Sequence, residues 1–474
     1  MCLWQNRFQF CVMSSRRIKA ILTVVLPRPT AVLLYPFEIR SNDAAGVLRR
    51  YAGLSGELRR ACIGCRGVNL TVQQESGEVA SSTVGRRAVV VTACSAVVVA
   101  QMATTIYLPS MPALGADIGA SDRTLQLSVA VFVVFAALPV VAWGRAAERF
   151  GRVPAFVAAG VCFILASAGL SLITNAPELL SLRVVQAIGA GGIAVVGRMM
   201  VKDLFTGAEL ARQLSLLSMA FVVALGGGQV LGGVITSTVG WRYGFAVLAV
   251  LAAVPVFFAL RLSLPRPTSN STGKGIARRL IRDRIFMTSA VAGGIGFAVI
   301  VMIQQKSAFI FSDRFALPPW LFGLFGVLYG AAYLAGATYV RRAVRRVGAR
   351  TMIRQGAWIM LAGCALITVV WALDLPRAIA LPIFLAGYVT TTFGQATLFP
   401  NSAAHAVSHL VSGAAIAVSW CALIQQGLAG VASFAGPALT GLVGWSIAIT
   451  ALAAVNVLIA RTPEGPATKP ESTD

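Results

Sequence analysis

The long apolar stretches of this chain contain no aspartate and no glutamate. The whole sequence has 17 acidic residues against 40 lysines and arginines, two histidines, and only 12% charged residues. A soluble domain carries about 25% charged residues, so the shortage excludes an ordinary water-soluble core. It also excludes an enzyme built within the apolar runs, because no Ser/His/Asp set, metal-ligand group or pair of carboxylates lies there. His405 and His409 have i, i+4 spacing but no glutamate between them, and read as loop residues rather than metal ligands. Cys62 and Cys65 form a lone C-x-x-C, with neither a second pair nor histidines to complete a zinc site. Cys94, Cys162, Cys364 and Cys421 fall inside apolar runs as small packing residues. The sequence therefore predicts no metal, no cofactor and no enzymatic activity.

What is present is apolar residues, 57% of 474, and a formal net charge of +23. Such charge can mark nucleic-acid binding. Here the basic residues come in short clusters between apolar runs, which excludes nucleic acid as a partner and points to a lipid bilayer. Twelve runs have the length of about 20 residues that crosses ~30 Å of hydrocarbon. They are Ala88–Leu108, Leu125–Trp143, Val153–Ile173, Leu179–Met199, Leu214–Ile235, Tyr243–Leu262, Ile285–Phe311, Pro319–Val340, Met352–Leu373, Ala378–Phe399, Leu410–Phe434 and Leu439–Ile459. Only helices satisfy the backbone in segments this long, so the expected class is an all-α integral membrane protein.

With the N-terminus inside, about 23 lysines and arginines after residue 85 fall in cytoplasmic segments. The outside loops hold Arg123, Arg242, Arg314 and Arg377. The bias predicts a multi-pass protein of a bacterial-type inner membrane with both termini cytoplasmic. Residues 264–284 are a polar, then basic, linker that divides an N-terminal six-helix bundle, 86–263, from a C-terminal one, 285–462, and residues 463–474 form a tail. Residues 1–85 are arginine-rich without a sustained period. Their longest apolar patch, Ile18–Leu26, is too short to span and ends at Pro27-Arg28-Pro29. They read as an extension without regular structure, or as the product of an upstream start codon.

Gly144–Arg152 reads G-R-A-A-E-R-F-G-R and joins the second and third runs. A degraded echo, Arg341–Arg350, R-R-A-V-R-R-V-G-A-R, joins the eighth and ninth. The chain thus looks like a membrane protein built twice over. The repeated linker resembles the hallmark of the major facilitator superfamily. The resemblance implies two six-helix bundles around a central cavity that opens alternately to either side. It also implies that Gly144, Glu148, Arg149, Gly151 and Arg152 form a cytoplasmic gating motif, in which the acid pairs with neighbouring helix ends. The family's usual aspartate is here Glu148.

Further motifs extend the resemblance. Arg183 and Gln186, in L-R-V-V-Q-A-I-G, resemble the R-x-x-Q-G of the fourth helix, whose arginine is linked to proton or substrate coupling in the family. Gly226–Gly233, G-G-G-Q-V-L-G-G, resembles the G-P-x-x-G-G motif of drug exporters, with Gln229 in place of proline among Gly228, Gly232 and Gly233. Thr104–Leu114, T-T-I-Y-L-P-S-M-P-A-L, with Gly240-Trp241-Arg242 and Phe399-Pro400-Asn401, resembles the bicyclomycin-resistance (Bcr/CflA) subfamily of drug:proton antiporters. That subfamily carries an aspartate before Tyr-Leu-Pro, where this chain has Thr105. Every acid after residue 85, from Asp117 to Asp474, lies in a loop or at a span end, so no buried carboxylate offers itself as a proton carrier.

Substrate-path candidates are the polar and aromatic residues of the apolar runs: Gln101, Thr104, Thr105, Tyr107, Arg183, Gln186, Gln304, Gln305, Tyr329 and Tyr388, with Lys306, Tyr333 and Gln395 beside them. The expected function is export of drug-like or amphipathic small molecules by a monomer, with protons as the coupling ion that the resemblance implies. A transporter of one metabolite, such as a sugar or nucleoside, and a non-transporting membrane sensor are the alternatives.

Overall fold

The computed structural model describes residues 17–25, 32–40, 76–262, 264, 276–410, 414–439 and 441–462. The Cys62–Cys65 pair, most of the 264–284 linker and the 463–474 tail lie outside them. Contacts divide the chain into a unit ending at Gly77 and a unit beginning at Glu78. In the first, strands β1 (Arg17–Val25) and β2 (Val32–Arg40) pair antiparallel, from Arg17 opposite Arg40 to Val25 opposite Val32. The extension thus contains a hairpin, and all of the Ile18–Leu26 patch except Leu26 lies in β1.

Among its described residues the second unit holds twelve helical segments long and apolar enough to cross a membrane. Spans one to six are Gly85–Ile118, Asp122–Arg149, Arg152–Leu170, Ala176–Leu204, Arg212–Thr238 and Arg242–Leu260. Spans seven to twelve are Arg284–Arg314, Pro319–Val347, Ala349–Ala372, Arg377–Val407, Ala417–Ala438 and Leu442–Arg461. Helices pack within each set of six, and the two halves meet along spans two and eleven and spans five and eight.

Local chemistry explains the departures from straight helices. Span one does not stop at Leu108. Its first helix ends at Thr105, a short 3-10 turn covers Leu108–Ser110, and a second helix runs Met111–Ile118. Pro109 has no N–H for the carbonyl of Thr105 and its ring would crowd that oxygen, so the first helix must break there. Pro109 and Pro112 are instead tolerated in the first turns of the two following helices. Gly119, at φ +65°, closes the second one in the left-handed region. Span two is likewise interrupted between Ala137 and Val140, around Pro139. Side-chain caps fix several starts: Ser121 accepts from Thr124 N, Asn175 from Glu178 N and Asp283 from Phe286 N.

Loops alternate between two ends of the unit. At the Asp117 end, Asp117 pairs with Arg242 and accepts from Trp241 Nε1, Arg242 Nη2 donates to Ile173 O at 3.2 Å, and Arg314 pairs with Asp374. At the Glu148 end, Arg152 pairs with Asp203 at 2.7 Å, Arg350 Nη2 donates to Thr462 O at 2.7 Å, and His409 meets Asp283 at 2.5 Å. These ties join successive loops of the same face, as an even number of crossings requires.

Candidate functional site

The N-terminal half is centred on a buried cation. The break after Thr105 leaves the last carbonyls of that helix without intrahelical donors. Arg183, on span four, fills the gap: its Nη1 donates to Ala103 O at 3.0 Å and to Gln186 Oε1 at 2.8 Å. A helix C-terminus favours a cation for the same reason. The guanidinium carbon also lies 4.5 Å from the ring centres of both Tyr107 and Phe132, each contact contributing about 0.5–2 kcal/mol. Arg183 is 0% exposed, so it does not reach to the membrane surface. Its Nε and Nη2 have no hydrogen-bond partner. Gln186 Nε2 donates to Ser167 Oγ at 2.9 Å, and Tyr107 Oη shares a hydrogen bond with Ser128 Oγ at 2.8 Å. No carboxylate takes part in this network.

Thr105 faces another way. Its hydroxyl donates to Ala224 O on span five at 3.1 Å, and the approach is open because residue 228 is glycine: a Cβ there would strike Thr105 Oγ1. Gly232 is likewise pressed on the Ile106 carbonyl. The opposite edge of the same glycine-rich segment meets span eight. A Cβ on Gly226 would lie 2.7 Å from Gly326 O, and one on Gly323 would lie 2.6 Å from Gln229 O. Gln229 itself is buried, its Oε1 without a partner. Without proline the span is one continuous helix, Gly207–Thr238, and its glycines act by close packing rather than by a kink. Sequence reasoning missed the matching residues Gly323, Gly326 and Gly330 of span eight, whose spacing in G-L-F-G-V-L-Y-G was a legible signal.

The C-terminal half has a neutral polar interior. Tyr329 and Tyr388 stack with ring centres 3.8 Å apart, both hydroxyls unpartnered. Gln395 Oε1 and both side-chain polar atoms of Asn456 are also buried without partners. Gln305 Nε2 crosses to the other half and donates to Gln126 O at 2.9 Å, leaving Oε1 unpaired. Gln304 is buried on the same span, while Gln101 and Thr104 of span one are half-buried. The structure thus gathers Arg183, Gln186 and Tyr107 in one half and the two tyrosines in the other. It places Thr105, Gln229 and Gln305 at helix-helix contacts.

The linker departs from the expected pairing. Glu148 is exposed and makes no ion pair with any described residue. Arg152, 6% exposed, instead binds Asp203 and ties the start of span three to the end of span four. Gly144 has open space where a Cβ would sit, whereas Gly151, at φ +103°, needs glycine for its turn. Arg149 lies over the ring of Phe150. Among the described residues no group of histidine, cysteine, aspartate or glutamate could hold a metal. His409 has Asp283 as its partner, in the turn after span ten, whereas His405 lies within that span's helix, Arg377–Val407, and not in a loop.

Arg198 of span four, absent from the sequence-based candidates, is surrounded by protein yet exposed to solvent. That combination fits a side chain on a concave wall of the protein. Arg183 on the same helix is sealed. Two hydrogen bonds between the halves, Gln305 to Gln126 and Trp320 N to Ser237 Oγ at 3.1 Å, lie toward the Asp117 end. The halves are thus tied to each other toward the Asp117 end.

Residues 93–325 match the family model described as Major Facilitator Superfamily. A chloramphenicol resistance protein of Pseudomonas aeruginosa is 26% identical over 334 residues, covering 68% of this chain and 77% of that one. A bicyclomycin resistance protein homolog of Haemophilus influenzae is 23% identical over 271 residues, covering 54% of this chain and 68% of that one. In fold the chain is similar to a D-xylose-proton symporter, with a TM-score of 0.66 at 14% identity, over 80% of this chain and 98% of that one. Twelve spans, halves that meet along two helix pairs and these matches agree: over residues 93–325 the chain matches the Major Facilitator Superfamily, and its fold is that of the solved transporter it resembles.

Proposed function

We propose that this transporter exports drug-like or amphipathic small molecules by alternating access. The observation that carries the reading is the glycine contact between spans five and eight. Backbones that touch at Gly226, Gly233, Gly323 and Gly326 give a smooth surface on which two rigid halves can roll. Closed toward the Asp117 end, the molecule stands ready to load from the Glu148 end. The lysine and arginine bias makes that end cytoplasmic, with both termini inside a bacterial-type inner membrane. Similarity to proteins named for chloramphenicol and bicyclomycin resistance supports outward movement of drug-like compounds.

The path runs between the buried Arg183 cluster and the Tyr329–Tyr388 stack, an apolar interior with few polar groups, which suits loosely specified ligands. Coupling to protons, if the resemblance carries over, uses a group other than residue 105, since threonine does not ionise and its hydroxyl is held by Ala224. The test is a drug-susceptibility panel with an overexpressing strain, followed by transport of the protected compounds in everted vesicles. Raised tolerance together with vesicle accumulation is expected. Tolerance unchanged for every compound, with no vesicle accumulation, would overturn the export reading.

A further inference from the structure

Span four carries two arginines on one face. Arg183, Ala187, Gly191, Ala194 and Arg198 follow each other at steps of four, four, three and four residues, which keeps them on one side of a helix. Gly191 is pressed against the Ala136 carbonyl of span two, where a Cβ would collide. Beyond that constriction, about two turns further on, Arg198 emerges into solvent inside the protein. It makes no hydrogen bond or ion pair with any described residue. Asp203, the nearest acid along the helix, is committed to Arg152, and Glu209 accepts from Gln213 at 2.5 Å. Tyr333 of span eight is similarly enclosed and half-buried, with its ring 6.2 Å from that of Phe221 on span five.

We propose that Arg198 is a substrate anchor and that the transported molecules carry an anionic group, a carboxylate or a similar oxyanion, that docks on it. The proposal rests on the transport reading above and narrows its substrate class. A guanidinium is always charged and offers its donors in a fork that fits an oxyanion. Placed in a space walled by protein, with no ion-pair partner among the described residues, it raises the local concentration of anions and repels cations. Charge needed only for membrane orientation would serve equally well at the exposed helix ends, as Lys202 and Arg212 already do at this end. Inside the cavity it is costly, and an intramembrane charge facing a water-filled space marks a ligand path.

The test has two arms on the full-length chain. In the first, wild type, R198K and R198Q are overexpressed and challenged with anionic, neutral and cationic compounds. The expected protection is against the anionic set, lost about tenfold or more in R198Q, as removal of a charge-assisted bond requires, and largely kept in R198K. Protection confined to neutral or cationic compounds and unchanged in R198Q would overturn the proposal. No protection by wild type against any compound would sink the transport reading itself.

The second arm needs no transport. Ala194→Cys, with the eight native cysteines replaced by serine, is labelled in phosphatidylcholine vesicles by an anionic and a cationic methanethiosulfonate. The ratio of anionic to cationic rate is expected to fall severalfold when R198Q is added. An unchanged ratio would remove Arg198 from the cavity. Protection of the cysteine by added phosphatidylglycerol, seen with Arg198 and not with R198Q, would assign the site to a lipid headgroup and overturn the substrate assignment.

Discussion

The two halves solve the problem of a polar interior differently. In the N-terminal half a single cation, Arg183, is held by a broken helix end, a glutamine and two rings, and the hydroxyls around it are paired. In the C-terminal half there is no charge in the centre. Tyr329, Tyr388, Gln395 and Asn456 instead present polar atoms that no protein group satisfies. The first arrangement is pinned by its own protein. The second is a set of buried donors and acceptors free to bond with something that enters. The difference suggests one half that fixes geometry and charge and another that adapts to the shape of what is carried.

The contrast is broken most severely at Arg183. Replacement by glutamine removes the cation from the helix end and two charge-assisted bonds, and transport is expected to fall by about a hundredfold. R183K keeps charge without the planar fork and should recover only a fraction of the rate. A vesicle transport assay with protein amount measured in parallel checks both. Near-normal transport by R183Q would mean that the N-terminal cluster is packing alone.

Next in size is the seam between the halves. Gly226→Val places a side chain against the Gly326 carbonyl, overpacking worth about 1–3 kcal/mol. It should cut transport about tenfold while the protein still inserts. Gly227→Ala, at an open position one residue away, should do little. Equal loss in both would show that the effect is one of helix propensity and not of the seam.

A finer comparison sets one phenol against another. Tyr107→Phe removes the bond to Ser128 and should lower thermal stability by about 1 kcal/mol. Tyr388→Phe removes a hydroxyl with no protein partner and should leave stability within about 0.5 kcal/mol, while altering which compounds are carried. Thermal-shift midpoints of the two variants give the order. A larger loss from Tyr388→Phe would contradict the idea of a half left open for ligand.

The smallest effect is expected in the linker. Arg152→Ala breaks the pair with Asp203 and should slow transport with ligand binding nearly unchanged, whereas Glu148→Gln removes an unpaired, exposed charge and should matter less. Transport rates and binding measured on both variants decide it. The reverse order would place Glu148 in a pairing made only in the other conformation.

Much of this was legible beforehand. Twelve apolar runs divided by a polar linker show the architecture because hydrocarbon leaves the backbone little choice. Arg183 stood out because a charge in mid-span is costly. Arg198 did not, since it lies near the basic end of its helix and resembles orientation charge; only the structure shows how much protein surrounds it. Thr105 stood out in place of the subfamily's aspartate, but the bond of its hydroxyl to Ala224 was not legible, because it depends on a glycine of another helix. The extension of span one beyond Leu108 was hidden because prolines ordinarily interrupt a helix, whereas Pro109 and Pro112 sit in helix first turns where proline fits.

The central claim is that the halves roll on the seam between spans five and eight, parting at its Asp117 end, as the cavity changes sides. Cysteines at Ser237 and Trp320, where the halves share a hydrogen bond, test it directly when the native cysteines are replaced by serine. Transport in vesicles is measured before oxidation, after it, and after reduction. The account predicts that cross-linking abolishes transport and that reductant restores it, with neither single-cysteine variant affected. Full transport by the cross-linked protein would contradict it.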